Sequence, residues 1–226
     1  MKSTIHLLLL LLLGGLPALL PAQLTIRSTL GVSMVSQSID WGYEDPEDFG
    51  FAVRPRRSLE LGGSLSYRLP GLEMLELQLG ALLHNRGSSL VQRRAFREAG
   101  EMIKVQTRLT YVEVPMGIRL QPLPQFPMTL ESGFAFALGF DGSMKSTVTI
   151  SGERHTEDLG NPFSLGEYGR LDVRLYVGGA IRLPKQSGEI GGRINLGAAN
   201  IFLLPRHRAH NHAITLFFHW PLEMKI

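Results

Sequence analysis

Three polar stretches of this 226-residue chain hold residue types that could do chemistry. "PRHRAHNH" carries His207, His210 and His212, and three imidazoles that close could bind a transition metal. No carboxylate or cysteine accompanies them, and Arg206 and Arg208 would oppose a cation, so the stretch reads first as a solvated basic loop suited to phosphate groups. "SGERHTED" places Ser151, His155 and Asp158 near one another, which invites a nucleophile reading. A triad is defined by geometry, however, and no nucleophile elbow or oxyanion signature surrounds Ser151; exposed loop polarity is the better account. "SIDWGYEDPEDFGF" sets Trp41, Tyr43, Phe49 and Phe51 among Asp40, Glu44, Asp45, Glu47 and Asp48. That mixture suits a binding surface, a calcium-ordered loop without EF-hand spacing, or a segment resting near lipid headgroups. None of the three patterns calls for a cofactor, and no catalysis is expected.

A fourth set of charges is spread along the chain: Glu60, Arg68, Glu76, Arg108, Glu113, Arg119, Glu131, Asp172, Arg174 and Arg193. Each falls in a segment whose residues alternate between apolar and polar, the period of a half-buried strand. In "RSLELGGSLSYRLP" Leu59, Leu61, Leu65, Tyr67 and Leu69 take the odd places, and Ser58, Glu60, Ser64, Ser66 and Arg68 the even ones. Eight segments alternate in this way, at about 24–36, 57–69, 72–86, 102–121, 126–141 with a possible extension to 150, 170–183, 189–203 and 213–226. Most exceed the ordinary strand length of about five or six residues and reach the roughly 9 to 11 that a tilted strand needs to cross a bilayer.

Connections alternate as well. Only "PG", "PLPQ" and "PKQSG" join strands two to three, four to five and six to seven, whereas 37–56, 87–101 and 142–169 are long and polar. Short turns at one end and long loops at the other describe an all-β, eight-stranded antiparallel up-and-down transmembrane barrel, with its turns in the periplasm. The charges share their face with glycine, alanine, serine and threonine, so they are expected to face the lumen and pair there. Leu130, Phe134, Phe136, Leu138, Phe140, Ile214, Leu216, Phe218 and Trp220 would meet lipid. Alternation alone also fits the inverse arrangement, a soluble exported barrel of lipocalin type with an apolar ligand inside.

One strand breaks the pattern. Ile103, Val105, Leu109 and Tyr111 are odd, yet Val112, Val114, Met116, Ile118 and Leu120 are even. A one-residue slip reverses every later side chain, so a β-bulge is expected near Tyr111 and Val112, with Pro115 tolerated beside it.

The amino terminus, "MKSTIHLLLLLLLGGLPALLPAQ", has the layout of a secretory signal peptide cleaved between Ala22 and Gln23. Gly14, Gly15 and Pro17 cut its apolar run too short for a membrane helix. The expected organisation is a signal at 1–22 and one barrel domain at 23–226. There is no cysteine, which excludes a disulfide framework and a lipoprotein anchor. A formal charge of +3 with dispersed basic residues excludes nucleic acid as an expected partner.

"LTYVEVPMGIRL" resembles the Y-x-E-[IV]-P strand of the PorT-like outer-membrane β-barrel family, and "LESGFAFALGFDG" its following strand. "LYVGGAIRLPKQSGEIGGRINLGAANI" is similar to the family's glycine-rich hairpin ending in G-x-x-N-I, here Gly197, Asn200 and Ile201. The resemblance implies an eight-stranded barrel of the general OmpA-like kind in the Gram-negative cell envelope. A secretion role is associated with the name-giving member, and nothing in these residues supports carrying it over. Outer-membrane barrels usually end on an aromatic residue read by the assembly machinery; this chain ends "FFHWPLEMKI". The expected function is therefore a non-enzymatic structural or interaction role in the outer membrane. Expected partners are outer-membrane lipid and lipopolysaccharide, the assembly machinery, and an unidentified envelope protein. An outer-membrane lipid-modifying enzyme is the remaining alternative.

Overall fold

A computed structural model describes residues 24–40, 51–94, 101–122, 125–166, 168–184, 188–201 and 208–222. The expected signal cleavage site at Ala22 and Gln23, together with Trp41, Tyr43, Phe49 and His207, lies outside the described residues. The strands are β1 (Leu24–Asp40), β2 (Phe51–Arg54), β3 (Arg56–Leu69), β4 (Leu72–Arg86), β5 (Ser89–Arg94), β6 (Glu101–Leu120), β7 (Met128–Ile150), β8 (Glu153–Gly160), β9 (Leu171–Arg182), β10 (Glu189–Gly197) and β11 (Arg208–Leu222).

Eight of them close a ring. The hydrogen-bonded order β6-β4-β3-β1-β11-β10-β9-β7 returns to β6, and every pairing is antiparallel. The other three extend it beyond the ends of the shorter strands. β5 continues β4 past Gly87 and pairs with the first residues of β6, β2 pairs with β5, and β8 pairs with the last third of β7. A five-stranded sheet, β2-β5-β6-β7-β8, thus rises from one side of the barrel at its long-loop end.

The wall is apolar outside and polar inside. On β11, Leu216 is 69% exposed and Thr215 is 0% exposed. Leu30, Val32, Leu59, Leu79, Val114, Phe136, Leu175 and Ile194 continue the exposed apolar belt around the ring. Water would disfavour so continuous an apolar surface, and a hydrocarbon layer favours it. Most side chains shielded within the ring are polar or charged, among them arginines, glutamates, histidines, asparagines, serines and threonines, with Tyr176, Phe217 and a few aliphatic residues between them. Outward charge with an apolar interior, the soluble alternative, is thereby reversed.

The bulge lies on a different strand from the one expected. Thr110 of β6 faces Asp141 of β7, but Tyr111 faces Gly139, so Phe140 of β7 is the extra residue. The inward phase of β6 runs unbroken through Thr107, Leu109, Tyr111, Glu113, Pro115 and Arg119. Leu109 and Tyr111 are apolar residues that point into the lumen, so the slip expected near Tyr111 and Val112 is a change in what the lumen contains. Pro115 interrupts the ladder to β4 between the pairs Leu79–Met116 and Leu82–Glu113, as a residue without an N–H must.

Candidate functional site

Inside the ring the inward charges gather into two clusters, with Arg193, Glu131 and Glu60 between them. At the short-turn end Glu76 meets Arg27 at 3.1 Å, Arg68 at 3.0 Å and Arg119 at 3.9 Å. Arg119 also contacts Glu189 and donates to Thr129 Oγ1 at 3.1 Å, while Arg182 approaches Glu189 at 3.8 Å. A vestibule of about 310 Å³, lined by Thr25, Arg68, Arg182 and His219, opens below this cluster.

In the middle, Arg193 lies 3.2 Å from Glu131, with its guanidinium over the rings of Tyr176 and Phe217 at 5.1 and 5.2 Å. Such stacking suits a planar cation held away from water. Glu60 accepts hydrogen bonds from Ser33 Oγ and, at 3.0 Å, from Thr215 Oγ1. Hydroxyls from β1 and β11 therefore meet a carboxylate that no guanidinium touches among the described residues.

Nearer the long-loop end Arg86 is the hub. It donates to Asp172 at 2.5 Å and to Glu113 at 2.6 Å. Glu113 also receives Arg174 and His84, the latter at 3.0 Å, and Asn211 donates to Asp172 at 3.0 Å. Side chains from β4, β6, β9 and β11 thus converge across the full width of the lumen. Charges desolvated together are tolerable only when paired in this way.

A hydrophobic cap covers the upper cluster. Leu109, Tyr111, Ala137, Phe163, Tyr168, Ile201 and Ala209 pack together, with Phe163 edge-on to Tyr111 at 5.9 Å. Segments 161–166, 168–169 and 198–201 fold inward to form it, held by Phe163 N to Asn161 Oδ1 at 3.0 Å, Gly169 N to Ile201 O at 2.7 Å and Ala209 N to Asn200 Oδ1 at 2.8 Å. Gly139 makes room for it, because a Cβ there would run into the Phe163 ring. The guanidinium of Arg86 lies 5.4 Å from the Tyr111 ring centroid, which joins cap and charge cluster.

Of the ten charges expected in the lumen, Glu60, Glu76, Glu113, Arg119, Glu131, Asp172, Arg174 and Arg193 are shielded there. Two differ. The Arg68 side chain is 46% exposed and reaches Glu76 from the mouth, because β3 ends one residue later. Arg108 faces outward, opposite in phase to Thr107 and Leu109, because β6 carries no slip. Arg27, His84, Arg86, Glu189 and His219 are lumen residues absent from the sequence-based set. Their signal was present in the alternation, since each continues the inward phase of its strand to an end.

The loop candidates do not converge. His210 and His212 occupy outward positions on β11, with His210 Nδ1 3.0 Å from Ala199 O and His212 Nε2 2.9 Å from Ser38 Oγ. Among the described residues no group of three or more His, Cys, Asp or Glu is placed to hold a metal ion. Ser151 sits in the tight β7–β8 turn, His155 pairs across the ladder with Val148, and Asp158 accepts from Gly160 N at 3.0 Å. Phe51 begins β2, at the edge of the sheet extension.

These features define a class: a closed, eight-stranded transmembrane β-barrel with a charged, capped lumen. No family model matches the chain, and no curated protein matches it in sequence. Among solved structures it is similar to Ail, the attachment invasion locus protein of Yersinia pestis, at 12% identity and a TM-score of 0.42, over 88% of this chain and 99% of that one. It is also similar to the outer membrane protein OprG from Pseudomonas aeruginosa, at 10% identity and a TM-score of 0.37, over 89% and 97% of the two chains. Neisserial surface protein A aligns at 8% identity with a TM-score of 0.33, over 85% and 95%.

Proposed function

We propose that this chain is a non-enzymatic protein of the Gram-negative outer membrane, exported by its amino-terminal signal, whose barrel is a closed anchor for an extracellular interaction sheet. The observation that carries the reading is the lumen: two ion-pair clusters and a hydrophobic cap lie in series along its axis. An eight-stranded barrel has an interior just wide enough for its own side chains, and here they fill it with paired charge. What remains for interaction is the surface beyond the membrane, where β2, β5 and β8 widen the barrel into a sheet. Outer-membrane lipid, lipopolysaccharide and the assembly machinery are the partners this placement implies, and a further envelope protein would dock on the sheet. The resemblance of "LTYVEVPMGIRL" to a PorT-like strand supports the same placement. A lipocalin-like role is disfavoured, because an apolar ligand would have to enter a lumen lined by Arg86, Glu113, Arg119 and Asp172. A lipid-modifying role finds no support in the separated positions of Ser151, His155 and Asp158.

Purified protein in planar bilayers tests the closed-anchor reading. No steady conductance is expected, while cold detergent gels should show compact migration that boiling abolishes. Reproducible porin-like channels would overturn the reading and reopen transport.

A further inference from the structure

Arg108, displaced from the lumen by the unbroken phase of β6, belongs to a different site. The pairing of β3 with β4 ends at Glu60–His84, and above it β4 turns away through Gly87, whose φ of +131° suits glycine, to join the sheet extension. The upper end of β3 has no ladder pairing with β4, and among the described residues only Ser58 Oγ, donating to Asn85 O, bridges the two. A cleft of about 440 Å³ occupies this gap in the wall, lined by Val32, Arg56, Arg57, Leu59, Asn85 and Arg108 among others. Arg86 also borders it, but its charge is committed to Asp172 and Glu113.

The other three arginines are differently placed. Arg57 and Arg108 are exposed, and no carboxylate lines the cleft among the described residues. Arg56 reaches from β3 across the gap and donates from Nη1 to Thr107 O at 2.9 Å, which fixes its guanidinium at the back of the cleft. A guanidinium has five N–H donors, so most of its capacity faces elsewhere. Three cations brought together without an acid repel one another unless an anion joins them.

Height in the wall identifies the anion. Arg57 pairs in register with Met34, and Leu59 with Val32. Met34, Val32 and Leu59 are each at least half exposed on the lipid-facing belt. The arginines therefore stand at the outer rim of the apolar belt, where headgroup phosphates lie, and apolar side chains continue directly below them. An acyl chain could lie on Val32 and Leu59 while its headgroup meets the guanidinium groups, which match phosphate oxygens in a fork geometry.

We propose that this cleft is a binding site for the phosphorylated headgroup of an outer-leaflet lipid, seated on Arg56, Arg57 and Arg108 with its acyl chain along Val32 and Leu59. The proposal rests on the outer-membrane reading above. It goes further in naming one lateral site and one ligand chemistry.

Full-length protein refolded in non-ionic detergent can be titrated with diphosphorylated lipid A and observed by native mass spectrometry. At about 1 kcal/mol for each basic residue at a membrane surface, Arg57→Gln with Arg108→Gln should weaken retention of one lipid about thirtyfold. Lys145→Gln, an exposed basic residue on the β7 part of the sheet extension, should leave retention unchanged. Inorganic phosphate should fail to displace the lipid, and a dephosphorylated glycolipid should bind far more weakly. Equal retention by the double variant, equal retention of the dephosphorylated lipid, or displacement by inorganic phosphate at the lipid's own concentration would each overturn the proposal. Compact migration of both variants on a cold gel separates that failure from failure of the barrel reading.

Discussion

Glu113→Gln should be among the most damaging substitutions in the barrel. Its carboxylate receives Arg86 Nη2 at 2.6 Å, His84 Nε2 at 3.0 Å and the guanidinium of Arg174, and all four side chains are shielded from solvent. Glutamine keeps the shape but loses the charge, and it turns an amide NH₂ toward groups that themselves donate. Arg86 retains Asp172 at 2.5 Å, so it is not stranded. Arg174 loses its acidic contact and stays buried, 1% exposed. Stranding one member of a buried pair costs about 3 to 5 kcal/mol, and with Arg86 still satisfied the lower end applies, a loss of about 3 kcal/mol. Removing the stranded cation as well, in Glu113→Gln with Arg174→Met, should recover at least about 1 kcal/mol, a coupling typical of residues in contact. Urea unfolding of vesicle-reconstituted protein measures this, with the lipid-facing Trp220 as an intrinsic fluorophore, 57% exposed on the outer wall. A single-variant loss below about 1 kcal/mol, or strict additivity in the double variant, would refute the idea that the lumen charges depend on one another.

Two further outcomes follow from the wall and the cap. Leu216→Arg, lipid-facing between Val32 and Gly192 in register, should lower stability by about 2 to 4 kcal/mol, whereas Leu216→Phe should change it little; equal effects in the same urea assay would count against a membrane-embedded belt. Gly139→Leu should force Phe163 out of the cap at a cost of about 1 to 3 kcal/mol and speed hydrogen exchange across 161–166. Because the ion-pair clusters lie beneath the cap, that variant should still show no channel in planar bilayers. Conductance on loss of the cap alone would mean that the charges do not close the lumen.

Much of the barrel was legible in the chain because alternation is a local, period-two property that each strand carries by itself. Leu59 through Leu69 and Ile214 through Trp220 state which face is apolar without reference to any partner. The asymmetry of "PG" against the long 142–169 stretch likewise needs no tertiary information, although most of that stretch, expected as a loop, is strand, since β7 runs to Ile150 and pairs there with β8. Along β4 and β10 the same phase already marked His84, Arg86 and Glu189 as inward, and reading it through to the strand ends would have found them.

What only the tertiary structure decided are the relations between strands. A register shift belongs to a pair of strands, and the apolar residues of β6 slip in phase whether the extra residue is its own or the lumen changes character. Pairing with β7 assigns that residue to Phe140, turns Arg108 outward and leaves Leu109 and Tyr111 to the cap. Which arginine meets which carboxylate is likewise set by closure, since Arg86 and Asp172 are 86 residues apart and meet only when the ring is complete. The composition of one face is written residue by residue along the chain. The partners across the lumen are fixed by registers that no single strand contains.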